Sequence, residues 1–397
     1  MENLKLIAEN ANYKFQFSNQ TKGDEYTLDD MDKWPSFSKI LNDTTAGKSK
    51  SSYSLSDNSF HDKGKDWGDG ARAGGDGSSW AMGGDWNTAN SWAASQASAV
   101  RRLVFEGNFY LSETQGYSSG GFISDSKLTM PEKNPNKKQP GVSLGTQQQY
   151  LVRNCEINGT VQGGAWNLVW VGNNTDNMTW LGPLYSSKPI STEVSKTPVI
   201  AQKPYIYFDQ NKKKYNLAVP QVVEDAKGIT EYDKLRNSYK FDNVIVIRKS
   251  DDFKNITGKD DVKVIICPGI YQLCNPIELT GSFVLLGIGM PTIRAPLKKP
   301  AIIASKINGG VLAGVLVEAS LGEKDCLVKW GNSTQGAADT HSFIHDLYVR
   351  VGGNLNPKKC CVRVTEAMVK ISMPKTIIDN AWLWLADHGR NMPAAGI

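Results

Sequence analysis

Residues 262–318 read VKVIICPGIYQLCNPIELTGSFVLLGIGMPTIRAPLKKPAIIASKINGGVLAGVLVE, and this stretch decides the class of fold. Short apolar segments, rich in β-branched side chains, alternate with Gly, Pro and Asn, the residues that favour turns. No segment is long enough for a helix, so the stretch predicts an all-β architecture that turns every few residues. The predicted strands are residues 262–266, 270–273, 276–279, 283–286, 292–294, 301–304 and 311–317.

The chain contains a sequence repeat, as a stacked coil of strands requires. Its unit is an apolar group, one turn residue and a second apolar group. The position of the turn residue advances in steps of 27, 32 and 34 in the C-terminal half, and in steps of 23 and 29 in the N-terminal half. These steps are typical of a β-solenoid and predict a parallel β-helix; the alternative is a set of unrelated hairpins. The turn residues are Gly287, Gly314, Asp346 and Asn380 in the C-terminal half, and Arg102, Asp125 and Asn154 in the N-terminal half.

The composition argues against several classes of protein. The net charge of +5 is small for 397 residues and the basic residues are scattered, so we expect no nucleic-acid partner. No apolar run approaches the roughly 18 residues of a membrane span, and the N-terminus lacks a signal-peptide pattern. The six cysteines form no zinc motif, and His341 and His345 flank a predicted strand, so we expect no metal and no cofactor. Cys267 and Cys274 flank a short turn and could pair.

Four regions follow from the distribution of these signals. Residues 1–90 are expected to be a poorly structured lead-in rich in Gly, Ser and Asp, and residues 91–184 the N-terminal rungs of the β-helix. Residues 185–261 form a connecting region with a hairpin that turns at 209–211, and 222–239 is its one segment that could be helical. Residues 262–397 are the C-terminal rungs, which end early.

Several phrases of the sequence, taken in order, resemble a family of secreted microbial right-handed β-helix proteins. Its members are often labelled adenylyl cyclase or coagulation-factor-type proteins. The family is similar to the mycodextranase and α-1,3-glucanase glycosidases and sits in the pectate-lyase-like superfamily. The resemblance extends over residues 91–389, in the phrases WAASQASAVRR, SSGGFISDSK, QQQYLVRNCEI, WNLVWVGN, KPYIYFD, PGIYQL, LLGIGMPTI and IIDNAWLWLADHG.

The resemblance implies an extracellular, right-handed, pectate-lyase-like β-helix that acts on a polysaccharide. Seven N-x-S/T sequons agree with a secreted glycoprotein. Two features depart from the family pattern. Leu385 stands where an Arg usually precedes the Ala-Asp-His-Gly phrase, and the family continues for further rungs beyond the position of Ile397. These departures predict a truncated chain, incomplete at both ends.

Carboxylates near the end of the chain are the candidate catalytic residues. Glycoside hydrolysis needs two carboxyl groups that face one groove, and a parallel β-helix stacks equivalent side chains on successive rungs. Asp379 and Asp387 fall on one predicted rung, with His388 beside Asp387, and Asp346 falls about one rung earlier. Asp346 and Asp379 also lie at or beside predicted rung turns, where Asp commonly only hydrogen-bonds the backbone. Asp125 and Asn154, at the equivalent place in the N-terminal half, are interpreted as structural.

Two tryptophans are the candidate substrate-binding residues. Trp382 and Trp384 share one face of a predicted strand, and Ala381, Leu383 and Leu385 face the other way. An aromatic pair beside carboxylates could form a platform for a sugar ring, although tryptophans more often belong to a core or an interface.

Three functions remain open at this point. The first is a glycoside hydrolase that acts on an α-glucan with paired carboxylates. The second is a non-catalytic, truncated β-solenoid that binds glycan or serves as a surface scaffold. The third is a polysaccharide lyase, which is disfavoured because the sequence has no carboxylate cluster for a metal. The cyclase label has no support, since no phosphate-binding loop is present. We expect a monomer whose partner is a polysaccharide.

Overall fold

The structure, a computed structural model, is almost entirely β in the residues that it describes. Its described helices are two short 3-10 turns, Phe241–Asn243 and Ser250–Asn255. No helix in this part of the chain is long and apolar enough to cross a membrane. The described residues are 5–7, 14–15, 53–54, 89–91, 99–106, 108–110, 121–129, 142–145, 149–163, 167–180, 190–229, 236–320, 322–332, 340–351 and 362–385.

The chain divides into two compact units, Met1–Pro198 with Asp225–Thr230, and Val199–Glu224 with Glu231–Ile397. In the first unit the strands form two parallel sheets, ordered β1-β6-β9-β12-β10-β7-β4 (with β14 also on β12) and β15-β13-β11-β8-β5, and one antiparallel pair, β2 with β3. The strands are β1 Lys5–Ile7, β2 Lys14–Phe15, β3 Tyr53–Ser54, β4 Ala89–Ser91, β5 Ala99–Arg101, β6 Val104–Glu106, β7 Asn108–Tyr110, β8 Gly121–Ser124, β9 Lys127–Thr129, β10 Val142–Gly145, β11 Gln149–Arg153, β12 Glu156–Gly163, β13 Asn167–Val171, β14 Asn174–Trp180 and β15 Ile190–Val194.

The second unit is built on a parallel sheet of the order β21-β22-β25-β28-β26-β23, which β31 and β34 extend from β28. A second parallel sheet has the order β24-β27-β30-β33, and β29 pairs with β32. β16 and β19, which pair with each other, contain the sequence positions at which the two units are divided. The strands are β16 Thr197–Ile200, β17 Tyr205–Asp209, β18 Lys214–Pro220, β19 Val223–Ala226, β20 Arg236–Lys240, β21 Ile245–Ile247, β22 Lys263–Ile266, β23 Ile270–Gln272, β24 Ile277–Gly281, β25 Val284–Gly287, β26 Thr292–Arg294, β27 Ile302–Ile307, β28 Val311–Glu318, β29 Gly322–Lys324, β30 Val328–Trp330, β31 Ser342–Val351, β32 Val362–Val364, β33 Val369–Ile371 and β34 Thr376–Leu385.

The seven strands predicted over residues 262–318 are confirmed as β22 to β28, with small shifts at their ends. The predicted steps are also confirmed by the strand register. Val284 pairs with Val311, Val311 with Phe343, and Phe343 with Ile377, so the steps are again 27, 32 and 34. In the first unit Val100 lies opposite Ile123 and Ile123 opposite Val152, with steps of 23 and 29. Parallel strands at these steps are consistent with the predicted β-helix.

Six of the seven predicted turn residues adopt the left-handed backbone conformation that lets a rung bend; Gly287 does not, and it is the last residue of β25. Gly314, Asp346 and Asn380 have φ angles of 68°, 47° and 72° and lie at equivalent places on β28, β31 and β34. Gly, Asn and Asp adopt this region most readily, which explains the residue types at the bend of these three strands. In the first unit Arg102, Asp125 and Asn154 do the same, with φ angles of 53°, 47° and 51°. Their backbone N–H groups bond the neighbouring strand.

Asp125 and Asn154 have structural partners, as expected. The Asn154 Oδ1 accepts hydrogen bonds from Arg153 Nη1 at 2.8 Å and from Thr197 Oγ1 at 2.8 Å. The carboxylate of Asp125 lies 3.9 Å from Arg153 Nη1. Asp125 and Asn154 are 3% and 0% exposed, so these contacts lie in the interior beside the bend.

The core of the second unit lies between its parallel sheets. Leu285, Leu312 and Ile344 stack on successive strands and are fully buried. Trp330 on β30 is also fully buried and meets Phe283 edge to face, with ring centroids 5.5 Å apart. This continuous column of aliphatic and aromatic side chains supplies the main hydrophobic stabilisation of the unit.

A separate antiparallel sheet, β17-β18-β20, covers part of the outer surface of the large parallel sheet. β17 and β18 join around residues 210–213, where the Asp209 carboxylate accepts hydrogen bonds from the backbone N–H groups of Asn211 and Lys212. Leu217 from this sheet packs against Val284 and Phe343. Where this layer covers it, the parallel sheet is therefore buried on both faces, the inner face against the core and the outer face under the antiparallel layer.

The possible helix over residues 222–239 is wrong. The described parts of that segment form the strands β19 and β20. β20 pairs antiparallel with β18, so that Tyr239 lies opposite Leu217. Pairing with an existing edge strand satisfies the backbone of the segment, and this tertiary contact overrides its weak helical pattern.

The possible disulfide between Cys267 and Cys274 does not form, and both thiols are free. Cys155 and Cys326 are also free and are fully buried. Burial raises the pKa of each of these two thiols to about 12. They behave as small apolar core residues and not as reactive thiols.

Two glycines test the bend directly. Gly314 and Gly258 both have positive φ, but a Cβ at Gly314 would lie 2.8 Å from the carbonyl oxygen of Gly287, whereas one at Gly258 would meet nothing within 4 Å. We expect Gly258→Ala to lower the free energy of unfolding by about 1–2 kcal/mol through backbone strain. Gly314→Ala should cost roughly 1–3 kcal/mol more, because two rungs must separate. Urea unfolding measures both, and equal losses would contradict close rung packing at Gly314.

Candidate functional site

The outward side chains of four adjacent strands form a surface that we call the open face. It comprises β26 and the C-terminal halves of β28, β31 and β34, which follow one another in register. Four parallel strands span about 14 Å at a strand spacing of about 4.8 Å. The side chains of the open face are Thr292, Arg294, Leu316, Glu318, Tyr348, Arg350, Trp382 and Trp384.

Both predicted sugar-binding tryptophans lie on the open face. Ala381 and Leu383 pack against the inner core, so Trp382 and Trp384 point outward, as the alternation predicts. Both tryptophans are half-buried. The ring of Trp384 stacks on Tyr348, with centroids 6.1 Å apart and planes 18° apart. The face therefore presents aromatic rings that are held in place by their neighbours and remain in part accessible.

Beside the aromatic rings, two arginines share one carboxylate. Arg294 Nε lies 2.6 Å from Glu318 Oε2, and Arg350 Nη2 donates to Glu318 Oε1. The Glu318 side chain is 8% exposed, whereas those of Arg294 and Arg350 are 41% and 37% exposed. The three groups carry a net charge of +1, and the guanidinium groups stay accessible to a ligand. Planar donors next to aromatic rings can bind the hydroxyl groups and the flat face of a sugar.

An open groove of about 580 Å³ lies along one end of this row. Arg294 and Glu318 line it, together with Gln272, which is opposite Arg294 on the neighbouring strand. Leu297, 62% exposed, supplies an apolar wall. The open face thus continues into a concave surface that could hold part of an extended ligand.

The predicted catalytic residue Asp346 lies in a buried ion pair. Its Oδ2 is 3.0 Å from Lys203 Nζ, and the two side chains are 3% and 9% exposed. Its Oδ1 accepts a hydrogen bond from Asn380 Nδ2 at 2.7 Å. Both carboxylate oxygens are thereby occupied, and a polymer cannot approach them.

The predicted catalytic residue Asp379 is also buried. Its Oδ2 lies 3.2 Å from Nδ1 of His345, and the two side chains are 4% and 0% exposed. The His345 ring stacks on Phe343, with centroids 5.8 Å apart and planes 4° apart. Asp379 and His345 occupy the half of the outer surface near the antiparallel layer, because they point to the same side as Phe343. The structure brings Asp346 and Asp379 onto adjacent strands, as predicted, but neither reaches the open face.

The predicted residues Asp387 and His388 lie outside the described residues. Among the residues that are described, no group of three or more His, Cys, Asp or Glu side chains could hold a metal ion. The sequence interpretation missed Glu318, Arg294 and Lys203. A signal existed for Glu318, since a charged residue ends the apolar run of β28 on the outward alternation. No local signal marks Lys203, because its partner Asp346 is remote from it in the sequence.

Comparisons with known proteins found a matching family model and a related protein. Residues 244–395, which include the open face, match the model of the LAM55 pectate lyase-like domain. An exo-beta-1,3-glucanase of Streptomyces sp. (strain SirexAA-E / ActE) is 30% identical in an alignment over 321 residues that covers 77% of this chain and 48% of that protein. The chain therefore spans about half the length of the curated relative that it matches.

Solved structures agree with this result. The structure of sacteLam55A from Streptomyces sp. SirexAA-E matches with a TM-score of 0.62 and 27% identity, over 76% of this chain and 52% of that one. A refinement of a Glu-to-Ala variant of sacteLam55A in complex with glucose matches with a TM-score of 0.60 and 26% identity over the same shares. Together these findings show that the chain is similar, over part of its length, to pectate-lyase-like glycosidases.

Parts of the sequence interpretation do not receive this support. The expected α-glucan is not supported, because the relative is named for a β-1,3-glucan. The expected relation to α-1,3-glucanases and the adenylyl cyclase label find no match in these comparisons.

The Glu318 cluster predicts a specific acid sensitivity. Burial alone raises the pKa of Glu318, but the hydrogen bonds and charges of Arg294 and Arg350 outweigh it, so the pKa lies below the ordinary 4.5. A lowered pKa in the folded state stabilises the fold above pH 4.5, and this stabilisation is lost as the pH falls through the folded pKa. We expect Glu318→Gln to be less stable than the parent at neutral pH, and the difference to shrink below pH 4.5.

Urea unfolding of the parent and the variant between neutral pH and strongly acidic pH measures this difference. The matched control is Glu278→Gln, which removes an exposed glutamate on β24. A stability difference for Glu318→Gln that is constant across the whole pH range would contradict the charge cluster.

Proposed function

We propose that the chain is part of a glycoside hydrolase that acts on a β-1,3-glucan, built on a right-handed parallel β-helix. The 30% identity to an exo-beta-1,3-glucanase over 77% of the chain is the observation that carries the proposal. The LAM55 match covers the strands that form the open face, which supports placing the glucan there. A β-1,3-glucan replaces the α-glucan that the sequence suggested.

The open face supports a binding role for Trp382 and Trp384. A glucose ring presents an apolar face and a rim of hydroxyl groups, which suit an aromatic ring and nearby guanidinium groups. Tyr348 holds Trp384 in a stacked pair, and Arg350 adjoins Trp384 in the strand register. A glucan chain that contacts Trp384 could extend along the row toward Arg294 and the groove.

The catalytic roles are assigned by elimination among the candidates. Asp346 and Asp379 are buried and already bound, so in this proposal they support the site without touching the sugar. Asp387 and His388 follow directly on β34, whose outward residues are Trp382 and Trp384. We assign Asp387 and His388 to the acid–base chemistry or to the positioning of the sugar beside the tryptophans.

A non-catalytic glycan-binding protein is the second candidate function. The burial of Asp346 and Asp379 favours it, because these two carboxylates cannot act on a bound sugar. The proposal also retains an extracellular location, a monomeric state and the four regions 1–90, 91–184, 185–261 and 262–397. It includes no nucleic-acid partner and no cofactor.

The test is the release of soluble sugars by the folded 397-residue chain from β-1,3-, β-1,4-, α-1,3- and α-1,6-glucans, read by mass spectrometry. We expect release from the β-1,3-glucan, with glucose as product if cleavage is from the chain end. Asp387→Asn should reduce the rate by roughly 10²–10⁴-fold, the usual effect of losing a general acid or base.

Asp251→Asn, an exposed carboxylate in a 3-10 turn, is the control and should leave the rate unchanged. Release from an α-glucan alone would overturn the choice of substrate. Binding of the β-1,3-glucan by folded protein without any release would favour the non-catalytic candidate.

A further inference from the structure

A chain of hydrogen bonds links the buried Lys203–Asp346 pair to the open face. Lys203 Nζ and Asn380 Nδ2 both donate to the carboxylate of Asp346, at 3.0 Å and 2.7 Å. The other end of the Asn380 amide, Oδ1, accepts a hydrogen bond from Trp382 Nε1 at 2.8 Å. Two buried or half-buried side chains, Asp346 and Asn380, thus connect an interior lysine to a tryptophan on the surface.

The direction of this chain follows from the chemistry of each group. An ionised carboxylate only accepts hydrogen bonds, so Asn380 must turn its NH₂ toward Asp346. Its carbonyl oxygen then faces the other way, toward the one hydrogen-bond donor of the Trp382 indole. Lys203 supplies the opposite charge that a buried carboxylate such as Asp346 needs beside it. The orientation of Trp382 therefore depends on a charge pair that the sugar never touches.

The backbone places these groups where such a chain can form. Asp346 and Asn380 occupy the bend of adjacent rungs, with φ angles of 47° and 72°. Trp382 comes two residues after Asn380, and its indole N–H donates to the Asn380 side chain across this short separation. It is opposite Tyr348, the residue that stacks on Trp384. Orienting Trp382 thus sets one side of the aromatic surface of the open face.

We propose that Lys203, Asp346 and Asn380 are positioning residues that hold the indole of Trp382 at the angle needed to stack on a glucose ring. Asp346 is then a support of the binding surface and not an acid or a base. The inference rests on the proposed function in one respect, that the ligand stacked on Trp382 is a β-1,3-glucan. The hydrogen-bond chain itself can be tested without any ligand.

A double-mutant cycle tests whether Asn380 acts through Trp382. Asn380→Gly removes the amide and keeps the positive φ, and Trp382→Phe keeps an aromatic ring without the N–H donor. By calorimetry with a β-1,3-linked glucose hexasaccharide, we expect Asn380→Gly to weaken binding roughly three- to tenfold, the effect of losing one hydrogen bond. In the Trp382→Phe background the same substitution should have no further effect.

The matched control is Asn308→Gly. Asn308 accepts a hydrogen bond from Thr340 in the same unit and takes no part in the chain that leads to Trp382. The Asn308→Gly substitution should leave the affinity for the hexasaccharide unchanged. Unchanged affinity in Asn380→Gly, or equal additive losses in both backgrounds, would overturn the inference, because a merely structural Asn380 would not depend on the indole N–H.

Hydrogen exchange of the Trp382 indole, measured by NMR and assigned from the signal lost in Trp382→Phe, separates this inference from the proposed function. We expect the indole N–H to exchange faster in Asn380→Gly, since its acceptor is gone. If the parent binds no glucan, the proposed function is wrong. If, in addition, the indole N–H exchanges at the same rate in Asn380→Gly as in the parent, the positioning role is wrong too. Faster exchange in that case would support the positioning chain alone.

Discussion

The rungs that contain β28, β31 and β34 depend on one constraint, a residue with positive φ that bends the strand while its neighbours keep their parallel hydrogen bonds. Gly314, Asp346 and Asn380 meet this constraint on successive strands. Because the bend repeats in register, the side chains on either side of it also stack, apolar ones inward and others outward. The core, the covered half of the outer surface and the open face all follow from that repeated bend.

The choice of residue at the bend varies with the space beside it. At Gly314 the carbonyl of Gly287 is so close that a Cβ would collide with it, and only glycine fits. On the next two rungs the side chains of Asp346 and Asn380 have room, and they bond each other at 2.7 Å. The positive-φ bend therefore also places the polar side chains of Asp346 and Asn380 near the tryptophans, where they connect the interior to the surface.

The two halves of the outer surface differ in their exposure to solvent. The half before the bend lies beneath the antiparallel layer of β17, β18 and β20, and there His345 and Asp379 are sealed from solvent. The half after the bend is open and carries Trp384 with the arginine pair on Glu318. A polysaccharide can reach only the second half, which is why the proposed function places the glucan there and assigns the buried carboxylates a supporting role.

The sequence by itself determined the β architecture, the spacing of successive rungs and the outward direction of Trp382 and Trp384. These features follow from local alternation and turn chemistry, which short segments carry on their own. Only the tertiary structure decided which carboxylates are accessible. Asp379 and Glu318 both occupy outward positions. The layer of β17, β18 and β20, which is distant in sequence, covers Asp379 and leaves the surroundings of Glu318 open. Burial by remote segments, like the pairing of Lys203 with Asp346, depends on contacts that no local pattern encodes.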